Sequence, residues 1–369
     1  MASPDLQATR QRLNALATEL IKLSKTYEPT PPGIVGHEHP IFIKARALIA
    51  EAQTPFEHTA ALCTATVEAA SVRTLMHLGV FDKIPDTSST DLDDLSQKTG
   101  VQASLLQRLL RAPILSGLIH QSSEGHFSHT RISKGYRSDG FATRFMSLLY
   151  DQGLQNMIRL PQYLDQQHQA TGKYEEPGAS RDNTYFNMTT WAAGFEGKKT
   201  TFQLMEEDDA KMKAFQKMLN SSKDLNPYVG FHDFSKLASD EPERIVLCDV
   251  GGGHGFSITE ILKAHPEIKP EQCVLQDTAA VVEFAKTSNQ QLPAGVKFQV
   301  HDFFTPQPIK QARAYYLRAI AHDLSDANLV KVLNHIVPAM APDSKILISE
   351  NVIPETGFVS RAITQDMMM

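Results

Sequence analysis

The stretch Leu247-Cys-Asp-Val-Gly-Gly-Gly-His-Gly-Phe256 sets four glycines between two different patterns. Before it lies Arg244-Ile-Val, the start of an apolar run of strand length. After it comes Ser257-Ile-Thr-Glu-Ile-Leu, with helical spacing. Glycines in such a turn let the backbone take positive φ and approach a ligand closely, and the helix start presents free N–H groups. A tight turn with no ligand is the alternative when the turn is read alone. The next apolar run ends in Leu275-Gln-Asp277, where a carboxylate can accept hydrogen bonds from ribose hydroxyls. That suits a nucleoside ligand. A dinucleotide turn, G-x-G-x-x-G, would place glycine where the chain has Phe256, which weighs against NAD. Asp249, opening the loop, suits a cationic ligand such as the amino acid portion and sulfonium of S-adenosylmethionine.

Methyl transfer from a sulfonium is an in-line displacement, so a protein using it must align the acceptor oxygen and remove its proton. A phenol titrates near pH 10 (about that value for tyrosine), and histidine is the usual base for it at neutral pH. His322 follows the fourth apolar run at the carboxyl edge expected for a ligand site. Glu350, at the end of the fifth, is placed to accept the other imidazole N–H, with Asp323 competing for that role. The alternative for His322 is a helix-entry residue with a structural hydrogen bond, because Ser325 or Asp326 can cap the next segment. His254 and His301 read as cofactor-shell residues and His129 as structural.

These residues need a scaffold. From Arg244 onward, "RIVLCDV", "QCVLQD", "KFQVHD", "AYYLRAI" and "KILISENVI" are continuous apolar runs alternating with helical stretches. Such runs indicate strands buried on both faces, hence an α/β domain with a parallel sheet that binds ligands at the carboxyl ends of its strands. The N-terminal part differs. Leu6, Leu13, Leu16, Leu20 and Leu23 predict an amphipathic helix from Asp5 to about Tyr27, which would pack on a distant part of the chain or another subunit. The segment 27–40 reads as an extended connector, rich in Pro and Gly. Helical spacing resumes at about Phe56, runs to Leu78 and stops at Gly79. A short helix ending at Gly100, a helix from Ser104 to Ser116 and two extended runs about Glu124-Gly125 complete the ingredients of a winged helix. Its third helix offers only Arg108 and Arg111, too few cations for phosphate contacts, which argues against DNA binding. Domain boundaries are expected at 1–140 (helical and winged helix), 141–236 (helical connector) and 237–369 (cofactor domain). Phe186, Met188 and Trp191, in the connector, are candidates for a substrate pocket, with plain core as the alternative.

Composition sets the outer limits. At 369 residues the chain is long enough for two domains. A formal charge of −6 attracts neither nucleic acid nor anionic lipid, so a small molecule is the expected partner. Cys63, Cys248 and Cys273 lie far apart, suggesting neither disulfides nor a metal site. No run approaches the roughly 18 apolar residues of a membrane span, and the N-terminus lacks a leader pattern. The expectation is a cytoplasmic protein.

The motifs "DVGGGHG", "LQD", "HDFF", "YYLRAIAHDLSD" and "ISENVIPE", in that order, resemble the plant and fungal small-molecule O-methyltransferases of the caffeate O-methyltransferase type. The resemblance covers nearly the whole chain. It implies a Rossmann-like S-adenosylmethionine domain of class I type, independent of metal, behind an N-terminal winged-helix dimerisation domain, and hence a homodimer. It implies that Gly251, Gly252 and Gly253 meet the methionine part of the cofactor and Asp277 the ribose. Asp302 and Phe303 would flank the adenine, Arg318 would sit under the cofactor, and His322 would be the base for methylating a hydroxyl of an aromatic or polyketide-like metabolite. The family continues past "ISENVIPE" with a further helix and a β-hairpin. This sequence stops at Met369, which implies a domain lacking the last hairpin: either a shortened product or fragment, or a sheet whose open edge a partner subunit covers, with an inactive homologue as one alternative. The other keeps the cofactor but performs a dehydration or pericyclic reaction; histidine at 322 favours methylation.

Overall fold

A computed structural model describes residues 4–28, 39–174, 207–208, 228–288, 291–352 and 355. They form two compact units, the first mainly from residues up to Ile158 and the second mainly from Arg159 onward. Among the described residues, no helix is long and apolar enough to cross a membrane.

In the first unit, α1 (Pro4–Lys25) packs along α2 (Pro40–Ala52), with ion pairs Arg12–Glu51 at 2.7 Å and Lys44–Glu19 at 2.6 Å. Two expectations are thereby corrected: helical structure resumes at Pro40, not Phe56, and α1 finds its partner in the adjacent helix. The proline that looked like a breaker occupies the first turn of α2, where its missing N–H is no loss. His39 caps that turn, its Nδ1 accepting the Ile41 N–H at 3.2 Å.

A capping box starts α3 (Pro55–His77): Thr54 Oγ1 accepts from the Glu57 N–H, and Glu57 Oε2 accepts from the Thr54 N–H. After the single turn α4 (Val80–Lys83), Asp91 caps α5 (Leu92–Thr99), which ends at Gly100 with φ +70°. Then come α6 (Ala103–Leu115) and the antiparallel hairpin β1 (Ile119–Gln121) and β2 (Phe127–His129), where Phe127 also bridges Thr90. This is the expected winged helix. Leu75, Phe81, Leu95, Leu106, Leu110 and Phe127 form its buried centre. His129 is structural, as its setting implied: its ring nitrogens reach Ser133 Oγ at 2.9 Å and the Phe81 carbonyl at 3.1 Å. Helix α7 (Phe141–Leu148), a π-helical turn over Leu149–Leu154 and α8 (Gln155–Thr171) continue the chain. Arg73 of α3 grips Asp151 of the π-turn with two nitrogens, at 3.0 and 2.7 Å.

The second unit holds β3 (Leu247–Val250), β4 (Cys273–Asp277), β5 (Lys297–Val300), β6 (Ala314–Arg318) and β7 (Lys345–Ser349), all parallel, in the order β5-β4-β3-β6-β7. Helices α9 (Phe256–Ala264), α10 (Ala279–Ser288) and α11 (Asp326–Ile336) belong to the crossovers. The five expected strands are all present. Strand order reverses at β3, the switch point where such sheets bind ligands. Alternate residues serve opposite faces: Leu247, Leu275 and Tyr316 enter one core, Cys248, Tyr315 and Leu317 the other. Burial on both faces holds for β3, β4 and β6 but not for β5 and β7, which lie at the ends of the described sheet and are only half covered.

Gln276 of β4 ties this frame to the glycine loop. Its carbonyl accepts the N–H groups of Gly251 at 2.9 Å and Gly252 at 3.0 Å. Its buried amide exchanges two hydrogen bonds with Gln307, each 2.8 Å, and donates to Gln299 Oε1 at 2.7 Å. Replacing Gln276 by leucine leaves the buried Gln307 Nε2 without that acceptor, while Oε1 keeps the Ile309 N–H at 3.0 Å, and the loss costs about 1–3 kcal/mol. Chemical denaturation of Gln276→Leu is expected to show that loss; stability equal to wild type would contradict this account of the pair.

Candidate active site

The glycine loop leaves the carboxyl end of β3 through three positive-φ residues, Gly251 (+69°), Gly253 (+56°) and Gly255 (+75°). A Cβ on Gly251 would stand 2.5 Å from Ile320 Cδ1, and one on Gly252 2.8 Å from Asp249 Oδ2. At Gly253 nothing among the described residues lies within 4 Å of that position. The loop is thus packed from beneath and open at Gly253.

Two carboxylates stand under it. Asp277 Oδ2 accepts the Gly253 N–H at 2.9 Å and Oδ1 the Thr278 N–H at 2.8 Å. Burial raises its pKa against the pull of those bonds. With about four acceptor sites, a carboxylate so engaged keeps capacity for hydroxyl donors. Asp249 is 1% exposed, and its Oδ2 has no hydrogen-bond partner among the described residues. Burial, reinforced by the charge of Asp277 and opposed by Arg318, pushes its pKa up to about 7. A buried acceptor left open in this way has the capacity to take a hydrogen-bond donor or a cation.

Arg318, the last residue of β6, donates to Ser349 Oγ at 2.9 Å, and its guanidinium carbon lies 4.4 Å from the centre of the Tyr228 ring. Ala319 then takes φ +54°, uncommon for a residue with a Cβ, and turns the chain so that Ile320 covers Gly251. On the other flank, the Phe303 ring lies 3.7 Å from the Cβ position of Gly251, and exposed Asp302 accepts the Phe304 N–H at 2.9 Å. His301 donates its backbone N–H to the Asp277 carbonyl. His254 is buried, its ring 4.6 Å from that of Phe284 in α10.

The turn Ala321–Asp323 carries the histidine. Glu350 takes it at two points: Oε2 lies 2.6 Å from Nδ1, and Oε1 accepts the His322 backbone N–H at 3.3 Å. Asp323 Oδ1 lies 3.6 Å from Nε2, a charge contact rather than a hydrogen bond. Both carboxylates therefore contact the ring, but only Glu350 orients it. With Nδ1–H given to Glu350, a neutral imidazole carries its lone pair on Nε2. Burial disfavours the imidazolium, but the Glu350 hydrogen bond and the charges of Asp323 and Glu350 outweigh it and raise the pKa above its ordinary value. Burial likewise opposes charge on Glu350, and the bond to His322 prevails, lowering its pKa. Burial pushes Asp323 up to about 6. The three groups titrate as one coupled set.

The structure thus brings Asp249, Gly251, Gly252, Gly253, Asp277, Phe303 and Arg318 to the carboxyl edge of the sheet and joins His322 to Glu350. Phe186, Met188 and Trp191 lie outside the described residues. Four participants are not evident from sequence: Tyr228, Gln276, Ala319 and Ile320. The one available signal was the position of Ala319 and Ile320 between Arg318 and His322.

A carboxyl group whose pKa is raised on folding stabilises the fold below its unfolded pKa, and that contribution is lost as pH rises through the folded value. For Asp249 the loss extends through about pH 7. Between pH 5 and 8, thermal melts of unliganded protein are therefore expected to shift in favour of Asp249→Asn relative to wild type. A pH-independent difference between the two would contradict the burial argument.

Comparison with known proteins bears on these observations. The O-methyltransferase domain model matches residues 179–369 and the O-methyltransferase dimerisation domain model residues 60–139. Methyltransferase pvhD of Talaromyces variabilis is 33% identical over 294 residues, 78% of each chain. The demethylsterigmatocystin 6-O-methyltransferase of Aspergillus flavus is 27% identical over 84% of this chain and 76% of that one. Among solved structures, OxaC in complex with SAH and oxaline aligns with a TM-score of 0.81 at 22% identity, covering 98% of this chain and 89% of the other. The LepI complex with SAM aligns at 0.77 and 23% identity, covering 97% and 88%. At such identities the two structures establish the fold. The family match over more than half of the chain goes further: this protein belongs to the S-adenosylmethionine-dependent O-methyltransferases, with the family's dimerisation domain ahead of its catalytic domain.

Proposed function

We propose that the protein methylates a hydroxyl of an aromatic or polyketide-like small molecule, with His322 as general base oriented by Glu350. The observation that carries this reading is the 2.6 Å contact between His322 Nδ1 and Glu350 Oε2, which commits the ring to one orientation and leaves Nε2 to take a proton. S-adenosylmethionine supplies an electrophilic methyl group when bound. The residues present fit it. Among the described residues, Asp249 has a buried oxygen without a partner, suited to the cationic portion, Gly253 has open space beside it, and Asp277 retains acceptor sites for ribose hydroxyls. Asp302 and Phe303 are assigned to the adenine side and Arg318 to the floor of the site. The connector 141–236, with Phe186, Met188 and Trp191, is assigned to acceptor binding.

The 6-O-methyltransferase relative supports an oxygen acceptor on a small metabolite. A solved neighbour described as a pericyclic reaction enzyme motivates the alternative of a reaction without methyl transfer. The oriented histidine favours methylation, because an in-line displacement at a hydroxyl needs a proton acceptor. The dimerisation domain and the exposed apolar side chains Phe56, Leu62 and Val67 on α3 support a homodimer.

The test is a panel of hydroxylated aromatic acceptors assayed by mass spectrometry for both methylated product and cofactor consumption. His322→Gln is expected to lose roughly 10²–10⁴-fold in kcat. Because the carboxylate of Glu350 holds the imidazole pKa up, kcat/KM should rise with pH through a value above the ordinary histidine pKa. In Glu350→Gln that rising limb should move to lower pH while the plateau falls. Turnover without cofactor consumption, or a limb unmoved in Glu350→Gln, would contradict the proposal.

A further inference from the structure

Arg318 is held from two sides. Its Nη1 donates to Ser349 Oγ on β7 at 2.9 Å, following the Arg318–Ser349 register of the two strands. Its guanidinium faces the Tyr228 ring at 4.4 Å, well inside the roughly 6 Å range of a cation–π contact. Tyr228 is itself fixed by its neighbours in the chain. Val229 packs against the sheet core, and Phe234, fully buried, meets Tyr316 edge to face at 5.8 Å. Burial raises the Tyr228 pKa, keeping the ring neutral. The segment that brings Tyr228 to the end of β6 is therefore anchored on the same core as the strand that carries Arg318. Arginine gains from such a face because its planar cation is weakly hydrated and stacks flat, which an ammonium cannot do.

We propose that Tyr228 is a positioning residue of the cofactor site, its ring holding the Arg318 guanidinium flat at the carboxyl end of β6 beside Asp249. This rests on the reading of Arg318 as part of the cofactor floor. The ring also sets how far the fixed positive charge offsets the buried carboxyl of Asp249, whose ionisation Arg318 favours. Arginine at 318 and an aromatic ring at 228 thus form one unit. Loss of the ring frees a long side chain to sample rotamers that no longer serve the site.

The experiment is a double-mutant cycle read by calorimetric titration with S-adenosylhomocysteine, on wild type, Tyr228→Phe, Tyr228→Leu, Arg318→Met and the double variant Tyr228→Leu with Arg318→Met. Tyr228→Phe, which keeps the π face and removes the hydroxyl, should bind within about twofold of wild type, and Tyr228→Leu about tenfold more weakly. In the Arg318→Met background, Tyr228→Leu should have no further effect. Arg318→Gln, which removes the charge but keeps a polar head able to reach Ser349, serves as the second background if melting shows Arg318→Met unfolded. Equal weakening by Tyr228→Leu in both backgrounds, or leucine binding as well as phenylalanine, would reduce Tyr228 to packing and overturn the proposal. Wild-type binding unaffected at Arg318 would overturn it through the role given to that arginine. No binding by folded wild type would count instead against the cofactor site as a whole.

Discussion

One carbonyl oxygen, that of Gln276, receives the N–H groups of both Gly251 and Gly252, and the geometry of the site depends on it. The parallel register of β3 and β4 sets Val250 opposite Gln276, so the loop leaving β3 finds an acceptor at the end of β4. Only residues without a Cβ can bend there, because Ile320 and Asp249 occupy the space that side chains would need. The Gln276 side chain extends the same constraint to Gln307, beyond the turn that carries Asp302 and Phe303. A single residue thus connects the loop assigned to the methionine portion with the loop assigned to adenine. Asp277, next along the strand, closes the arrangement through Gly253.

The site is built at the expense of the unliganded fold. The charge of Asp277 raises the cost of ionising Asp249, in a region where burial already disfavours charge on both. Ala319 adds a left-handed backbone conformation. Arg318 is the compensating charge, and its effect on Asp249 is partial. Such a site gains most when a cationic ligand completes it, which is how binding energy and specificity arise from an unfavourable empty state. A similar economy holds at His322. Two carboxylates flank one imidazole, and only the one with hydrogen-bond geometry fixes its orientation.

Much of this was legible in the sequence, for identifiable reasons. The strand runs before Asp249 and Asp277 are short, apolar and bounded by turn residues, and the glycine loop is specific about backbone shape. The helices α3 and α5 carried their own stop signals at Gly79 and Gly100. Helix α2 was missed because Pro40 and the glycines before it looked like the continuation of a connector. Its first turn tolerates proline, and its apolar residues Phe42, Ile43 and Ile49 lie exposed outside the half-buried stripe of Ile41, Ala45 and Leu48, which blurs the periodicity. Tyr228, Gln276 and Gln307 carry no local pattern at all. Their roles come from pairings across 90, 31 and 31 residues of sequence, which periodicity cannot report. The partners of His322 were legible as a choice between Glu350 and Asp323, and only geometry separated them.

The most direct test of the account is calorimetric titration of the protein with S-adenosylhomocysteine, repeated on Asp277→Ala, with melting curves to show that both are folded. The account predicts saturable binding by wild type and a loss of about tenfold or more in the variant, since a charged acceptor of ribose hydroxyls and of the Gly253 N–H is removed. Equal affinity in the two proteins, or no binding by folded wild type, would contradict the assignment of the glycine loop and Asp277 as the cofactor site.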